Sequence, residues 1–525
     1  MDQKVAIEKI AEIEKRFDVN SVRYKGLKVW PLIRLALWQQ LSHPDKDFVG
    51  QLSFPQRTKT HSSKSLLRNA KAIFKLTSFI LNLILTYLNN WRLHQRPLKK
   101  LRQNSPVDVL FFSRIVEHSN QINGRYYNQY IDSMIDLVRE RQSFLKIEIG
   151  SSKLRTTLPR FESTIFINAG LFFIIKNIIK NIPGKLRDSI QINSIVNFTE
   201  LQKIVFKITG GININETYFV NQFKAVEKYK DFFKKVLSII HPKVVFLVCY
   251  YNPTTMALIV ACRELSIKSV DIQHGRQGEY HSMYSYWTKF PEEGYELLPD
   301  FFWVWGQESK EYIKRCQPAS LKRNIPVIGG NPWLSQWIHS NRYENVSEEY
   351  ENFYNSLKQY EKIALFTSQL YPEPFPEHIL NAMRNSPDSW IWLIRIHPQQ
   401  RDQLAEIDNF LQKSGIKKFE IDFSSRIFLY SLLKRVHHHL TCWSSVCYES
   451  LYFHVPTTIV HTLGRQVYHE YIDKGIFNYS ISDKKILEII ENSTSTDMMQ
   501  EEIPYIETDP KNADDALQKI LNSSI

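Results

Sequence analysis

The sequence predicts an α/β protein with two parallel-sheet domains, and three observations indicate it. The chain has 525 residues, which is too many for one hydrophobic core and enough for roughly two to four domains. From residue 107 onward, short β-rich apolar runs alternate with helical segments, the pattern of βαβ units. The alternation stops in a polar stretch that ends at Glu361 and then begins again. The second half of the chain therefore predicts a second sheet.

Residues 1–56 form a predicted helical segment at the amino terminus. Residues 5–17 are amphipathic, and residues 30–41 are a second apolar-periodic stretch. The first 17 residues alternate charges with Ile and Ala and contain no apolar run of the kind that a signal peptide needs. We therefore expect a protein that is not exported.

Residues 57–104 form a basic segment. Between Asp47 and Asp108 the sequence has eleven Lys and Arg residues and no acidic one, and the rest of the chain is nearly neutral. Residues 72–88 predict a helix with one narrow polar stripe, too short and too polar to span a bilayer. The prediction is a helix that lies on an anionic membrane surface, with docking on the protein's own core as the alternative. Nucleic acid is not an expected partner, because the segment has no recognisable reading motif.

The first α/β domain is predicted over residues 105–332. Its predicted strands are 107–112, 144–149, 164–168, 244–249, 269–273, 301–305 and 326–328, and its predicted helices are 126–141, 217–240, 254–265 and 309–316. Residues 171–182 are a second candidate for membrane contact, although a core helix is the preferred interpretation.

A helical linker is predicted over residues 333–361 and a second α/β domain over residues 362–525. The predicted strands of the second domain are 362–367, 391–396, 418–422, 438–442 and 457–461, and its predicted helices are 376–384, 402–413, 426–436, 446–453, 484–490 and 513–521.

A composition of 43% hydrophobic and 13% aromatic residues excludes a disordered chain. Five cysteines without a C-x-x-C pair indicate a reducing cytoplasm, and no cluster has metal-ligand spacing.

Polar residues follow three predicted strands, where open parallel sheets bind their ligands. Arg395 and His397 alternate along one strand end, and together they suit a phosphate or diphosphate. Ser444 and Ser445 precede a helix, where capping alone would explain the hydroxyl groups. Glu449 lies four residues after Ser445, outside capping-box spacing, and is placed to accept hydrogen bonds from ribose hydroxyls.

The third strand end carries the sequence Gln273-His274-Gly275-Arg276. A histidine that titrates near neutrality can accept a proton from a hydroxyl group, and the glycine permits close approach of a ligand. Glu279, in the same loop, and Glu293, in the sequence Glu292-Glu293-Gly294, are alternative bases.

Several motifs together resemble those of GT-B glycosyltransferases of bacterial surface polysaccharide synthesis, in which two Rossmann-like domains face a cleft. The resemblance extends to capsule polysaccharide transferases, polysialyltransferases and glycerophosphotransferases of teichoic acid assembly, and it covers roughly residues 107–490. It rests on Arg395-Ile396-His397-Pro398, Ser444-Ser445-Val446-Cys447-Tyr448-Glu449-Ser450-Leu451, Val455-Pro456, Gln273-His274-Gly275, Leu298-Pro299-Asp300 and Trp303-Val304-Trp305-Gly306. His454 departs from the pattern, which usually has glycine before Val-Pro, and this puts the detail of that turn in doubt.

The resemblance implies a nucleotide-activated sugar donor held by the second domain, with no cofactor and no obligatory metal. It implies that His274 deprotonates the acceptor, with Glu279 or Glu293 as the fallback. The implied donor-binding residues are Arg395, His397, Ser444, Ser445 and Glu449, and the further cleft residues are Gln273, Gly275, Arg276, Ser368 and Gln369.

The expected activity is transfer of a sugar to a lipid-linked or growing surface glycan, by a protein that lies at the inner face of the cell membrane. Three alternatives stay open: glycerol phosphate transfer, epimerisation of a nucleotide sugar, and a non-catalytic role in a polysaccharide assembly complex. The sequence leaves the donor, the acceptor, the stereochemistry and the oligomeric state undetermined.

Overall fold

The computed structural model of the chain describes two α/β units and an N-terminal helical segment. The described residues are 3–42, 97, 99–114, 120–122, 124–150, 159–167, 194–340, 348–370, 373–493 and 505–524. The predicted membrane-surface helix at 72–88 and the second candidate at 171–182 lie outside these ranges. Within them, no helix is both long enough and apolar enough to cross a bilayer.

The N-terminal segment is helical, as predicted, and it also contains a short hairpin. Its elements are α1 (Gln3–Arg16), β1 (Arg23–Tyr24), β2 (Leu27–Lys28) and α2 (Trp30–Ser42). Ile10, Ile13 and Trp30 are fully buried and belong to the same hydrophobic cluster as the first sheet. The segment is therefore an integral part of the first unit's core.

A buried ion pair joins α1 to α2. The Glu14 carboxylate accepts hydrogen bonds from Arg34 Nε at 2.9 Å and from Trp30 Nε1 at 2.8 Å. Its second oxygen accepts from the Thr288 backbone N–H at 2.7 Å, and Arg34 donates to the Tyr286 carbonyl at 2.9 Å. Both side chains of the pair are fully buried. The pair thus ties the N-terminal helices to the loop at 285–288.

Replacing Glu14 by alanine is expected to lower the free energy of unfolding by about 3–5 kcal/mol, because it leaves a buried guanidinium without its counter-charge. Urea denaturation measures the loss. Glu12→Ala on the same helix is the matched control, since Glu12 pairs with Arg16 in solvent and its removal should cost less than about 1 kcal/mol. Equal losses in the two variants would contradict the structural role given to the buried pair.

The first unit is built on seven parallel strands in the order β11-β10-β9-β8-β3-β6-β7. The strands are β3 (Val109–Arg114), β6 (Phe144–Ile149), β7 (Thr164–Ile167), β8 (Val244–Val248), β9 (Lys268–Ile272), β10 (Phe301–Val304) and β11 (Ile325–Ile328), with a separate hairpin of β4 (Asn120–Ile122) and β5 (Arg125–Tyr127). Its helices are α3 (Asp132–Val138), α4 (Phe198–Thr209), α5 (Glu216–Ile240), α6 (Pro253–Glu264), α7 (Gln307–Lys314) and α8 (Pro332–His339).

The helix predicted over residues 126–141 is wrong in its first part. Residues 125–127 pair with β4 as a strand, and Gly124 makes the turn at a φ of 72°. The helix starts only at Asp132, because the Asn128 side chain accepts hydrogen bonds from the backbone N–H groups of Tyr130 and Ile131. Aromatic β-propensity and a polar side-chain cap thus set this boundary.

The second unit is built on six parallel strands in the order β14-β13-β12-β15-β16-β17. The strands are β12 (Lys362–Thr367), β13 (Trp390–Arg395), β14 (Phe419–Glu420), β15 (His438–Thr441), β16 (Thr457–Ile459) and β17 (Asn478–Tyr479). Its helices are α9 (Glu348–Leu357), α10 (Glu377–Asn385), α11 (Leu404–Lys413), α12 (Asp422–Arg426), α13 (Leu429–Leu433), α14 (Val446–Leu451), α15 (Thr462–Val467), α16 (His469–Asp473) and α17 (Asp483–Glu491), and the last helix of the chain is α18 (Pro510–Asn522).

Two predicted elements near residue 422 differ from the structure. The strand predicted over 418–422 ends at Glu420, because its carboxylate accepts the backbone N–H groups of Phe423 and Ser424 and so starts α12. The helix predicted over 426–436 is divided between α12 and α13. Ile427 is extended at this break, and its carbonyl accepts a hydrogen bond from Arg395.

His454 adopts the backbone conformation that the usual glycine would have. Its φ is 56°, in the left-handed region that side chains other than glycine seldom enter. The turn before Val455-Pro456 is therefore retained despite the substitution.

The C-terminal helix α18 packs against the first sheet rather than the second, although the predicted second domain extends to residue 525. Ala513, Ala516, Leu517 and Ile520 are buried in one cluster with Phe301 and other residues of the first sheet. Lys268 donates to the last carbonyl groups of α18, which adds a favourable charge at the carboxyl end of the helix. The chain thus returns to its first unit.

The two units share one hydrophobic cluster. Trp305 and Trp333, from the first unit, belong to the same cluster as Tyr430 and Tyr448, from the second. The prediction of two Rossmann-like units that face each other is thereby confirmed, with a helical segment before them.

Candidate functional site

Each sheet reverses its strand order at one point, and ligands of open α/β sheets bind in the crevice at that point. In the first sheet the reversal lies between β3 and β8, and in the second it lies between β12 and β15. Residues that follow these strands and the neighbouring strands β9 and β13 define the candidate site.

Ser368 and Ser444 follow the two strands at the reversal point of the second sheet. Ser368 is 3% exposed, and no described residue forms a hydrogen bond with its hydroxyl group. The Ser444 hydroxyl accepts from the Val446 backbone N–H at 3.4 Å, which is a helix cap. The Ser445 side chain makes no cap bond. Because α14 has only six residues, its helix dipole is weak, and the hydroxyl groups are the stronger candidates for contact with an anion.

Arg395 ends β13, and its side chain is held in place by the backbone. One guanidinium nitrogen donates to the carbonyl groups of Ser424 at 2.7 Å and Ile427 at 2.6 Å. Burial and the neighbouring Arg401 lower the pKa of Arg395 to about 10, so it stays charged at neutral pH. A fixed, buried cation with further N–H groups suits a phosphate oxygen.

His397 lies two residues further on and caps the 3-10 turn over Pro398–Gln403. Its Nδ1 accepts the Gln399 backbone N–H at 3.2 Å, and burial lowers its pKa. In the neutral ring the proton therefore lies on Nε2, which makes Nε2 a donor. Gln369, next to Ser368, follows the adjacent strand of the same sheet edge.

Glu449 is buried on α14 beside Tyr430 and Arg395. Burial raises the pKa of Glu449 to about 7, and the hydrogen bond from Tyr430 and the charge of Arg395 oppose that rise. A carboxyl group whose pKa is raised by burial in a cleft is typical of functional sites.

Glu449 should make the stability of the protein depend on pH. Its pKa is about 7 in the folded protein against a reference of 4.5, so the folded protein binds the extra proton between these values. Stability therefore falls as pH rises through this window, by about 3 kcal/mol in total. Urea midpoints at pH 4.5 and pH 7.5 for the parent and Glu449→Gln measure the effect. The difference in unfolding free energy between the parent and Glu449→Gln should change by about 3 kcal/mol between the two pH values. A difference that does not change with pH would contradict the assignment of Glu449 as a buried carboxyl group.

His274 lies two residues beyond β9, on the first unit's side of the site. Its Nε2 is 3.2 Å from the Tyr251 hydroxyl, and its carbonyl accepts from the Tyr130 hydroxyl at 3.2 Å. Burial lowers the pKa of His274 to about 4, and the charge of Arg114, at the end of β3, contributes. The ring is neutral at pH 7, which is the state that can accept a proton.

Three other predicted residues are engaged elsewhere. The Gln273 amide is fully buried and bonds to the Trp305 N–H, the Gly275 carbonyl and Ser309, so it joins two strand ends. Glu279 pairs with Arg315 at 3.0 Å, and Glu293 pairs with Lys28 of the N-terminal hairpin. No bond within the described residues joins either carboxylate to His274.

A chain of contacts connects the two halves of the site. Tyr130, which bonds to the His274 carbonyl, is close enough to Tyr430 to contribute to the raised pKa of Tyr430. Tyr430 in turn bonds to Glu449, which interacts with Arg395. Electrostatic interactions therefore link the neighbours of the predicted base to the predicted donor residues.

Sequence analysis missed Tyr130, Tyr251 and Tyr430, together with Arg114. The signal for two of them was present, because Arg114 ends one strand at the reversal point and Tyr251 lies three residues after the other. The predicted strand-end residues follow β9, β12, β13 and β15, whereas none was predicted at the ends of β3 and β8. Tyr130 and Tyr430 lie in no strand-end pattern.

Within the described ranges, no group of three His, Cys, Asp or Glu side chains could hold a metal ion. The candidate site instead offers hydroxyl groups, a guanidinium and imidazoles. These groups can donate hydrogen bonds to an anion.

Comparisons with known proteins add solved structures of low similarity. No family model matches the sequence, and no curated protein matches it. Among solved structures, UDP-GlcNAc 2-epimerase from Methanocaldococcus jannaschii, in complex with UDP-GlcNAc and UDP, is 13% identical at a TM-score of 0.46 and covers 79% of this chain and 100% of its own. The Neisseria meningitidis UDP-GlcNAc 2-epimerase bound to UDP-GlcNAc is 12% identical at a TM-score of 0.45, with coverages of 79% and 98%.

The wall teichoic acid polymerase TagF with CDPG is 11% identical at a TM-score of 0.46, with coverages of 87% and 98%. All three TM-scores lie below 0.5. The fold assignment therefore rests on the two parallel sheets of this chain.

Proposed function

We propose that this protein is a glycosyltransferase that moves a sugar from a nucleotide-activated donor to a hydroxyl group of a glycan or lipid-linked glycan. The observation that carries the proposal is the link, through Tyr130 and Tyr430, between a half-buried, neutral histidine after β9 and groups that could hold an anion at the ends of β12, β13 and β15.

On the donor side, the diphosphate would lie between Arg395, His397 and the hydroxyl groups of Ser368 and Ser444. Arg395 is held by two carbonyl groups and His397 by one backbone N–H, so both are oriented before the ligand arrives. Such preorganised donors stabilise negative charge as the nucleotide leaves. Glu449, at the same edge, would accept hydrogen bonds from the ribose hydroxyl groups.

On the acceptor side, His274 Nε2 would accept the proton of the attacking hydroxyl group. The acceptor oxygen then bonds to the anomeric carbon while the bond from that carbon to the nucleotide breaks, and the nucleotide leaves with its electron pair. Tyr251 would hold Nε2 until the acceptor binds, and Arg114, whose charge already acts on His274, would add a positive charge on this side of the site. No cofactor is needed, because the donor is already activated.

A donor panel tests the proposal. UDP-, CMP-, CDP- and GDP-linked sugars, together with CDP-glycerol, are incubated with the protein and with lipid and glycan extracts, and nucleotide release is measured. We expect acceptor-dependent release from one donor class. Release from CDP-glycerol alone would favour glycerol phosphate transfer, and product without acceptor would favour epimerisation. Nucleotide binding without turnover on any extract would favour a non-catalytic role.

We further propose that the protein acts at the inner face of the membrane, which would bring it to a lipid-linked acceptor. The support is the basic segment at 57–104, whose eleven positive charges would attract anionic lipid by about 1 kcal/mol each near the surface. Deleting residues 72–88 is expected to move the protein from the pellet to the supernatant when it is sedimented with anionic liposomes at low salt. Unchanged pelleting would contradict a membrane contact through the helix at 72–88, because the deletion removes only Lys75 of the eleven basic residues.

A further inference from the structure

Arg276 crosses from the first unit into the second. Its Nε donates to the Tyr448 hydroxyl at 3.1 Å, and a terminal nitrogen donates to the Val467 carbonyl at 2.8 Å. The guanidinium also lies over the Tyr468 ring, 5.2 Å from its centroid. A first-unit side chain is thus enclosed by aromatic and backbone groups of α14 and α15.

This contact joins the two segments that carry the predicted chemistry. Arg276 is two residues after His274, and Tyr448 immediately precedes Glu449. The hydrogen bond between them therefore fixes the loop of the predicted base against the helix of the predicted ribose-binding carboxylate. Because Arg276 and Tyr448 are so close in sequence to His274 and Glu449, movement at this hydrogen bond would also move the His274 and Glu449 side chains.

The surroundings of Arg276 leave its side chain little freedom. A Cβ atom on Gly278 would meet Arg276 Nη1 at 1.9 Å, so the glycine provides the space in which the guanidinium lies. Tyr448 is fully buried and stacks on Tyr505 with ring centroids 3.5 Å apart. Both partners of the hydrogen bond are therefore held by their own neighbours.

A second bond crosses between the units beside the first. The Tyr471 hydroxyl, from α16, donates to the Glu308 carboxylate of α7. Burial raises the pKa of Glu308, and the nearby charge of Arg276 opposes the rise. The arginine is thus part of a buried polar junction between the units.

We propose that Arg276 is a positioning residue that sets the distance and orientation of His274 relative to Glu449 and so keeps the two halves of the site in register. Arg276 contacts no substrate in this account, and its effect on the reaction passes through the Tyr448 hydroxyl. The effect expected of Arg276 on turnover rests on the proposed function, whereas its effect on the position of the two segments does not depend on any substrate.

Three substitutions separate positioning from simple packing. Arg276→Met removes both hydrogen bonds, Tyr448→Phe removes one hydroxyl group and keeps the stacked ring, and Gly278→Ala displaces the guanidinium without removing it. Arg465→Met is the matched control, because Arg465 is on α15 but pairs with Asp473 in solvent.

Hydrogen–deuterium exchange of the full-length protein gives the first readout. In Arg276→Met, Tyr448→Phe and Gly278→Ala we expect exchange to become faster in both residues 273–287 and residues 444–452, on the order of tenfold. Arg465→Met should leave both segments unchanged. Unchanged exchange in Arg276→Met, or a change confined to one of the two segments, would overturn the proposal.

The second readout is kinetic and uses the donor found in the panel. The three variants should lose turnover by about tenfold or more, while the dissociation constant of the matching nucleoside diphosphate stays within about threefold, since misplacement of a reacting group affects the transition state. Equal losses in turnover and nucleotide binding would indicate that Arg276 acts on the donor site itself and would overturn the positioning role. If the parent protein binds no nucleotide, the proposed function fails, and the exchange measurement still decides whether Arg276 couples the units.

Discussion

Replacing His274 by asparagine is expected to lower the turnover of the donor identified in the panel by about 10²- to 10⁴-fold, the usual contribution of a positioned general base. The physical reason is that the imidazole is the group placed to take the acceptor proton; burial lowers its pKa to about 4, which keeps the ring neutral at pH 7 but makes it a weaker base than a free histidine. The dissociation constant of the nucleoside diphosphate should change by less than about threefold, because no donor-binding group is altered. Single-turnover assays and calorimetric titration measure the two quantities.

His469→Asn is the matched control for this change. His469 is an exposed histidine on α16 of the second unit, and its substitution should leave turnover unaltered. A His274→Asn variant with near-normal turnover would contradict the assignment of the base. The Glu279→Gln and Glu293→Gln variants would then be the next candidates, because these carboxylates are the alternatives that the sequence offers.

Replacing His397 by alanine is expected to weaken nucleoside diphosphate binding by about 10- to 100-fold, because a hydrogen bond to a charged group contributes about 1.5–3 kcal/mol. Nδ1 of His397 is occupied by the Gln399 backbone N–H, which leaves the Nε2 proton for the phosphate. Calorimetric titration with the diphosphate of the matching base measures the loss.

His437→Ala is the control for the loss of a capping imidazole. The His437 ring also accepts a backbone N–H, that of Ile363 at 3.0 Å, but it lies at the opposite edge of the sheet, before β15 and beside the start of β12. Its substitution should not affect nucleotide affinity. Equal weakening in both variants would show that loss of the local cap, rather than loss of a phosphate donor, explains the His397 result.

The two sheets were predictable because parallel strands buried on both faces have an apolar pattern that is independent of their neighbours. The strands at 144–149 and 362–367 have the predicted bounds. Polar residues at strand ends were equally visible, since the chain must leave the sheet there. His274, Arg395 and Ser444 were found in this way.

Contacts between distant segments were not predictable. Three examples are the Arg276 bond to Tyr448, the packing of α18 on the first sheet, and the Glu14–Arg34 pair. In each of them, other helices or strands separate the two partners in the sequence. Each depends on how segments distant in sequence pack together in three dimensions, and no local periodicity records that. Short-range side-chain caps, such as those of Asn128 and Glu420, shifted element boundaries for a different reason, because they compete with regular backbone pairing.

A crystal structure with the nucleoside diphosphate that binds most tightly tests the central claim most directly. The account predicts diphosphate oxygens within hydrogen-bonding distance of His397 and Ser444, ribose hydroxyl groups at Glu449, and His274 facing the diphosphate from the first unit. A nucleotide bound away from the carboxyl edge of the second sheet would contradict the account. So would a diphosphate that contacts neither the second sheet's reversal point nor the groups around it.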